Sequence, residues 1–432
     1  MENMKFGTDG IRGIYGEELT ERTAYRLGVA LGREGSVLIG RDNRPSSLAL
    51  ARAVACGVME SGGTYLSVGL VTTPALCYLT REMGFFRGVM VTASHNPPSH
   101  NGLKVFTQEG KPSNTERTAI EDALRAIAGE PSAAFPLTDD PAPLTLYEDR
   151  FRKIGSLKGM TAVVDYAGGA GFAFGGLLST LGATVIPLNL RKDGGKINEG
   201  CGALYPELCA RETRIRKANL GFALDGDGDR IIAADQEGNI WDGDRLCYLL
   251  AVRMKARGAL NKNKVALTVM TNGGVLKSLS DEGITPVSCA VGDSAVAETM
   301  QAEGLNLGGE QSGHIILGDY MMTGDALYVG ATLLKSIKEE GPLSKTPAPT
   351  VYPQVRLDLP VPNKKIAVEP ALQAVAAEIK EKLGEGRVLL RASGTEPLIR
   401  IMVEHPNKSA ALCAAERLKE AVLSYSHQAS TR

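Results

Sequence analysis

Charge of one sign, organised cysteine and long apolar runs are what this 432-residue chain is short of. Lys and Arg number 48 against 49 Asp and Glu, a net charge of −1. That balance offers no broad basic field for nucleic acid or an anionic membrane, so any phosphate must be held by local sites. The seven cysteines, Cys56, Cys77, Cys201, Cys209, Cys247, Cys289 and Cys413, are odd in number, scattered, and form no C-x-x-C pair. A disulfide framework and a zinc cluster are both disfavoured, and six of the seven read as core packing. The opening MENMKFGTDG has no apolar core of a leader, and no stretch approaches membrane-spanning length. The expectation is a soluble cytoplasmic protein with neither nucleic-acid nor membrane partners. What is there is ordinary globular material, 43% hydrophobic and 22% charged. Its length suggests about three domains.

The chain is organised around FRGVMVTASHNPPSHNGLKVF, residues 86–106. Gly88, Val89, Met90 and Val91 have the composition of a buried strand. The run breaks into Thr92-Ala93-Ser94-His95-Asn96-Pro97, which crowds a hydroxyl, an imidazole and an amide just past a strand end. Open α/β sheets place their ligands there. Asn101-Gly102 is a turn signal, and Lys104 follows it. A nucleophile, a proton carrier and a cation thus share one loop and its exit. The plain alternative is a strand ending in an Asn-Pro turn, with Ser94 satisfying local backbone groups.

Strand–helix alternation divides the rest. Residues 1–147 read as one α/β unit, opened by the Gly-rich Lys5–Gly13 stretch that carries Arg12. Ser36–Gly40 reads as a strand followed by Arg41-Asp42-Asn43-Arg44-Pro45-Ser46-Ser47, where Ser46 or Ser47 caps the next helix. Gly129–Pro143 is a linker. Residues 148–243 form a second unit, in which GGAGFAFGG at 168–176 fails the dinucleotide pattern at Phe174 and reads as a strand-to-helix turn. Residues 244–350 form a third, and 351–432 a fourth, smaller one beyond a proline-rich stretch.

Three further loops carry polar chemistry. In Asp225-Gly226-Asp227-Gly228-Asp229-Arg230 carboxylates alternate with glycine. An extended backbone would point them to one side, and the glycines would let the chain curl around an ion. Hard oxygens suit Mg²⁺ or Ca²⁺. An EF-hand fails, since Arg230 and Gln236 stand where its Gly and Glu belong. Gly309-Glu310-Gln311-Ser312-Gly313-His314 gathers a carboxylate, an amide, a hydroxyl and an imidazole suited to sugar hydroxyls or an amine. Arg391, Ser393, Gly394, Thr395 and Arg400 form a phosphate cradle across a Gly turn between two strands.

TASHNP resembles the phosphoserine loop of the α-D-phosphohexomutases, and the similarity runs from Phe6 to Glu404, above all to the bacterial phosphoglucosamine mutase branch. KINEGCGALYP at 196–206 resembles the segment preceding that branch's metal loop. The resemblance implies three related α/β domains with mixed sheets around a central cleft, plus a smaller C-terminal α+β domain that swings to close it. It implies that Ser94 carries a phosphoryl group and exchanges it with a sugar phosphate, interconverting glucosamine 6-phosphate and glucosamine 1-phosphate. Glucosamine 1,6-bisphosphate is then the intermediate and activator. Mg²⁺ is held by Asp225, Asp227, Asp229 and a phosphoserine oxygen. Arg12 lies near substrate, Arg230 and Lys104 do electrostatic work, and His95 transfers a proton or positions. Glu310, Ser312 and His314 read the sugar, and the C-terminal cradle clamps the other phosphate. A homodimer is compatible with the sequence. A hexose phosphomutase and a Mg²⁺-dependent sugar phosphatase are the rival readings. Two departures stand out: Val291-Gly292-Asp293-Ser294 has Ser294 where the branch usually has arginine, and Pro98-Ser99-His100 replaces an aromatic residue and an Asp.

Overall fold

The computed structural model describes residues 7, 10–132, 135–393 and 398–430, with the side chains of 428–430 left aside. Its strands fall into four sheets. The first contains β1 (Ile11–Ile14), β2 (Ser36–Arg41), β3 (Thr64–Leu70), β4 (Arg87–Val91) and β5 (His100–Phe106) in the order β1-β5-β4-β2-β3. The second contains β6 (Thr161–Asp165), β7 (Thr184–Leu188), β8 (Leu220–Leu224), β9 (Ile231–Ala234) and β10 (Ile240–Trp241) in the order β10-β9-β8-β6-β7. The third contains β11 (Lys264–Thr268), β12 (Thr285–Cys289), β13 (Leu307–Gly309) and β14 (Ile315–Leu317) in the order β12-β11-β13-β14.

These three sheets repeat one plan. The first strand of each core pairs in parallel with the third (β2 with β4, β6 with β8, β11 with β13), and the fourth returns antiparallel beside the third. The connection between third and fourth strands is therefore the same topological place in all three. It carries Ser94 after β4, the aspartates after β8, and Glu310 to His314 after β13. The strands that lead into it are buried along their whole length in each case. The three loops thus start from firm anchors.

The first sheet is covered by helices Glu21–Gly32 and Ser47–Glu60, whose apolar faces join β2, β4 and β5 in one core. The two helices approach closely because each has glycine at the crossing. A Cβ on Gly28 would lie 2.1 Å from the Val54 carbonyl oxygen, and one on Gly57 2.1 Å from that of Tyr25. Two expectations fail here. Asn101-Gly102 is not a turn but lies inside β5. Gly102 is squeezed there, since a Cβ would come within 2.5 Å of the Thr92 carbonyl oxygen, and the buried Asn101 side chain donates to Ser46 and Ser47. Neither of those serines caps the helix at Ser47. Ser46 makes no capping bond, and the Ser47 hydroxyl turns to Asp42 at 2.5 Å.

The chain divides into two compact units, Met1–Val269 with Val287–Pro347, and Met270–Pro286 with Ala348–Arg432. The second unit holds the three-stranded antiparallel sheet of β15 (Gln354–Pro360), β16 (Arg387–Ala392) and β17 (Leu398–Glu404), in the order β15-β17-β16. Helices Pro370–Leu383 and Lys408–Ser430 pack on it around Ile399, Ile401 and Val403. Helix Gly273–Asp281 belongs to this unit. The side-chain amide of Asn272 exchanges hydrogen bonds with the Tyr352 backbone at 2.9 and 3.0 Å, and Gly273 N–H donates to the buried Glu404 at 2.8 Å. The fold is thus several α/β domains with mixed sheets and a smaller C-terminal domain, as the sequence implied. Six of the seven cysteines are buried and Cys413 is exposed. Among the described residues no helix is long and apolar enough to cross a membrane.

Candidate active site

Ser94 sits in the left-handed region, φ 52°, and is buried. A non-glycine residue pays of order 1–2 kcal/mol for that conformation. The loop around it is held by its carbonyls. The buried Arg44 guanidinium donates to the carbonyl oxygens of Ser94 (2.9 Å), Asn96 (2.8 Å) and His100 (3.0 Å), and also to that of Pro97. The Asn198 amide adds bonds to Ser94 O (2.8 Å) and Asn96 O (3.1 Å). Asp42 balances Arg44 at 2.9 Å and accepts from the Thr92 hydroxyl at 2.7 Å, and that hydroxyl accepts the Ser94 N–H at 3.0 Å. Charge-assisted bonds of this kind are worth roughly 1.5–3 kcal/mol each, so four of them outweigh the local strain. Sequence reading missed Arg44, Asp42 and Asn198. The available signal was a buried strand ending directly in a charged pair two residues apart.

The Ser94 hydroxyl donates to Asp225 Oδ2 at 2.6 Å, with His95 Nδ1 3.3 Å away. The aspartate loop is a tight turn rather than an extended stretch. Asp225 Oδ1 accepts the N–H groups of Gly228, Asp229 and Arg230 at 3.1–3.2 Å, which folds the three carboxylates together. Asp225, Asp227 and Asp229 each offer an oxygen within 4.8 Å of the others, and all are buried. Oδ1 of Asp227 and Oδ1 of Asp229 are buried without a hydrogen-bond partner. Burial and the charges of Asp229 and Asp227 push the Asp225 carboxyl up to about 8. Burial also opposes charge on Asp229, but Lys104, His314 and Arg230 more than reverse it and hold that carboxyl well below the usual range. Three dry carboxylates this close are all ionised only beside a cation. The donor set is all oxygen, which fits a hard divalent ion such as Mg²⁺.

Lys104, on β5, is buried and bridges Asp227 (2.6 Å) and Asp229 (3.0 Å). It therefore stands with the carboxylates rather than out in the loop. Thr73 fixes the same loop from the first domain, its N–H on the Asp227 carbonyl at 2.9 Å and its hydroxyl on the carboxylate. Arg230 lies 3.9 Å from Asp229. Arg12 is half-buried on β1 opposite Gly102. Burial and the charges of Arg230 and Arg12 lower the His95 pKa to about 4, so its ring is neutral at neutral pH.

The Glu310 to His314 connection is a pinned hairpin rather than a loose loop. Glu310 Oε1 accepts the Gly292 N–H at 3.0 Å, and its carbonyl accepts the Gly313 N–H at 2.9 Å. Ser312 is exposed at its tip. The buried His314 accepts the Gly324 N–H at Nε2 (2.9 Å), which leaves its proton on Nδ1, 3.9 Å from Asp229 Oδ1. A ring in that state has no lone pair for a cation, so the neighbouring Asp229, Asp293 and His314 do not form a second metal site. Asp293 pairs with Lys111 and accepts the Ser294 N–H at 2.7 Å. A cavity of about 770 Å³ opens beside His314, walled in part by Lys111, Asp293, Ser294 and Glu298.

The first unit thus brings together Arg12, Ser94, His95, Lys104, Asp225, Asp227, Asp229, Arg230, Glu310, Ser312 and His314. The remaining predicted residues belong to the second unit. Arg391 and Arg400 face each other across β16 and β17, and Arg400 Nε lies 3.6 Å from Asp358. Ser393 closes the strand end by donating its N–H to Leu398 O at 2.9 Å. Lys364, which sequence reading passed over, donates to the Ser393 carbonyl at 2.8 Å. Gly394 and Thr395 lie outside the described residues.

Comparison with known proteins agrees with this layout. Residues 3–130 match phosphoglucomutase/phosphomannomutase alpha/beta/alpha domain I, 242–351 match domain III, and 357–421 match the C-terminal domain of the same family. The phosphoglucosamine mutase of Desulforamulus reducens is 38% identical over 96% of this chain and 98% of its own length. That of Bacillus subtilis is 38% identical over 97% and 98%. In structure the chain is similar to a phosphoglucomutase/phosphomannomutase family protein from Burkholderia thailandensis (TM-score 0.79, 23% identity, 97% of each chain). It is also similar to the N-acetylphosphoglucosamine mutase of Aspergillus fumigatus (TM-score 0.66, 18% identity, 98% and 96%). With a phosphotransferase's parts assembled on a shared topological plan and relatives of this extent, the chain belongs to the phosphoglucosamine mutase family of the phosphohexomutases.

Proposed function

We propose that this enzyme interconverts glucosamine 6-phosphate and glucosamine 1-phosphate by phosphoryl exchange with Ser94, through glucosamine 1,6-bisphosphate. The observation that carries the reading is the Ser94 hydroxyl, held in a left-handed conformation and aimed at Asp225 within a buried three-carboxylate cluster. In the forward half-reaction the phosphoryl bond to Ser94 Oγ breaks as a bond forms to a sugar hydroxyl, whose proton passes to Ser94 Oγ as it becomes a free hydroxyl. The bisphosphate turns over, its other phosphoryl group returns to Ser94, and the isomeric monophosphate leaves. No phosphate is lost, which separates a mutase from a phosphatase.

Asp225, Asp227, Asp229 and a phosphoserine oxygen are the groups that would hold Mg²⁺, which when bound neutralises charge on the transferring group. Lys104 and Arg230 add positive charge beside the same carboxylates, and Arg12 sits close enough to lower the His95 pKa. His95, neutral and 3.3 Å from Ser94 Oγ, is suited to accepting a hydrogen bond and positioning the hydroxyl. Glu310, Ser312 and His314 read the sugar. Arg391, Ser393, Gly394, Thr395 and Arg400 bind the phosphate that is not reacting. The roles divide by domain: phosphoserine in 1–147, metal in 148–243, sugar in 244–350, distal phosphate in 351–432. A cytoplasmic location and a homodimer complete the reading.

The test is Ser94→Ala. Turnover is expected to fall to background with the fold intact, and intact-mass analysis is expected to find one phosphate on wild-type molecules and none on the variant. Full turnover in Ser94→Ala would sink the phosphoserine mechanism. Wild type that uses mannose or glucose phosphate faster than glucosamine phosphate would move the substrate assignment to a hexose phosphomutase.

A further inference from the structure

We propose that Asp325 is a positioning residue that, with Tyr147 and Tyr320, sets the geometry of the Asp225–Asp229 loop and of His314, and thereby the affinity for the divalent cation. The inference rests on the metal reading above and extends it to residues that touch neither cation nor substrate.

The Thr323–Ala326 segment lies against both halves of the site. Ala326 N–H donates to the Gly228 carbonyl oxygen at 3.1 Å. Gly228 links Asp227 to Asp229 at φ 76°, so this bond grips the chain between two of the three carboxylates. Gly324 N–H, two residues earlier, donates to His314 Nε2 at 2.9 Å. A Cβ on Gly324 would lie 2.4 Å from the Asp229 carbonyl oxygen and 2.9 Å from His314 Nδ1, which shows how tightly the segment fills the space between them. Two donors two residues apart on one short segment therefore orient the metal loop and the sugar-side imidazole.

Asp325 lies between those donors and fixes them. Its carboxylate is buried, accepting the hydroxyls of Tyr147 and Tyr320 at 2.8 Å each and the Tyr328 N–H at 3.0 Å as the N-cap of helix Ala326–Glu340. Tyr320 cannot drift, because its ring stacks on Tyr328 (3.5 Å between centroids) and lies under the Arg150 guanidinium at 4.4 Å. Tyr147 comes from helix Leu144–Arg150, and its ring packs on Phe151 and Phe174. A single carboxylate thus ties three stretches of chain to the backbone that supports the metal loop. Groups hydrogen-bonded directly to metal ligands change metal affinity by about 10–100-fold when lost, because ligand orientation is disturbed, and a brace one bond further out is expected at the lower end of that range.

The experiment titrates Mn²⁺ into wild type, Asp325→Asn, Tyr147→Phe/Tyr320→Phe and Asp227→Asn by isothermal calorimetry, at a temperature where circular dichroism finds each folded. In Asp325→Asn an amide replaces one carboxylate oxygen that accepts from several donors, and the Mn²⁺ Kd is expected to rise by about ten-fold or more. The double Tyr variant is expected to rise in the same direction, and it decides the matter should Asp325→Asn not fold. A merely structural Asp325 would lower the melting temperature with Kd unchanged. Wild-type Kd in the Asp325 and Tyr variants, with Asp227→Asn weakened, overturns the inference alone. Wild-type Kd in Asp227→Asn overturns the metal site and the inference together.

Discussion

At the scale of single residues, the hydroxyl proposed to carry the phosphoryl group owes its place to a side chain buried behind its loop. Ser94 is held at positive φ because Arg44 occupies its own carbonyl and those of the residues that follow it, and Arg44 is itself balanced by Asp42. Arg44→Ala is expected to release the loop and lower kcat by about a hundred-fold with little change in KM, since displacement by about an ångström has that cost. Guanidinium added to the assay is expected to restore part of the lost rate by re-entering the vacated space. An unchanged kcat, or a defect confined to KM, would show that the loop keeps its conformation without this clamp. The sequence showed the hydroxyl and its loop plainly, because Thr-Ala-Ser-His-Asn-Pro follows an unmistakable buried strand. It did not show the clamp. Arg44 is fifty residues away in the chain, and its donors go to backbone carbonyls, which leave no mark on residue identity.

At the scale of elements, the three chemical loops are one connection used three times. Each joins a buried parallel strand to an antiparallel return, so each starts from a fixed strand end and projects at the same edge of its sheet plan. In the third sheet the connection shortens to a hairpin whose geometry depends on Gly313. It has φ 94°, and a Cβ there would lie 2.2 Å from the Ile231 carbonyl oxygen. Gly313→Ala is expected to lower the urea-unfolding free energy by about 1–3 kcal/mol through overpacking, and to raise KM by shifting Glu310 and His314. Unaltered unfolding would mean the contact with Ile231 relaxes freely. Local rules failed where a neighbouring element intervened. Asn101-Gly102 has turn chemistry, yet β1 and the Thr92 carbonyl press on Gly102 and keep it in a strand. Ser46 and Ser47 have capping chemistry, yet Asn101 and Asp42 claim their hydroxyls. The aspartate loop was legible as a candidate cation site, but its alternate spacing suggested an extended chain. Asp225 instead gathers three successive amides and curls it.

At the scale of the whole molecule, the chain forms two compact units, and the boundary does not respect sequence order. Residues 270–286 leave the third sheet's segment and join the C-terminal unit through Asn272, Gly273 and the buried Glu404. That unit presents Arg391 and Arg400 opposite one another on adjacent strands. Like charges so placed repel, and Asp358, 3.6 Å from Arg400 Nε, offsets part of that repulsion, to which a phosphate bound between the two guanidiniums would add. Arg400→Ala is expected to raise KM by about ten- to a hundred-fold with kcat nearly unchanged. The lost contact is worth roughly 1.5–3 kcal/mol, and its proposed partner is the phosphate that does not react. A pure kcat defect would assign Arg400 to the chemistry instead.

By itself the sequence determined the family and the repeated strand–helix rhythm, and it offered candidate residues for a phosphoryl group, a cation, a sugar and a distal phosphate. These depend on local pattern: apolar strands of fixed length, each ending in a short polar loop. Only the tertiary structure decided which groups meet. Lys104 pairs with Asp227 and Asp229 across more than a hundred residues, Ser94 reaches Asp225, and the Ala326 N–H holds the Gly228 carbonyl from about a hundred residues away. The reason is physical. Strand and turn preferences act over a few neighbouring residues, whereas burial and charge act between whatever surfaces the packed sheets bring together, and no spacing along the chain encodes that encounter.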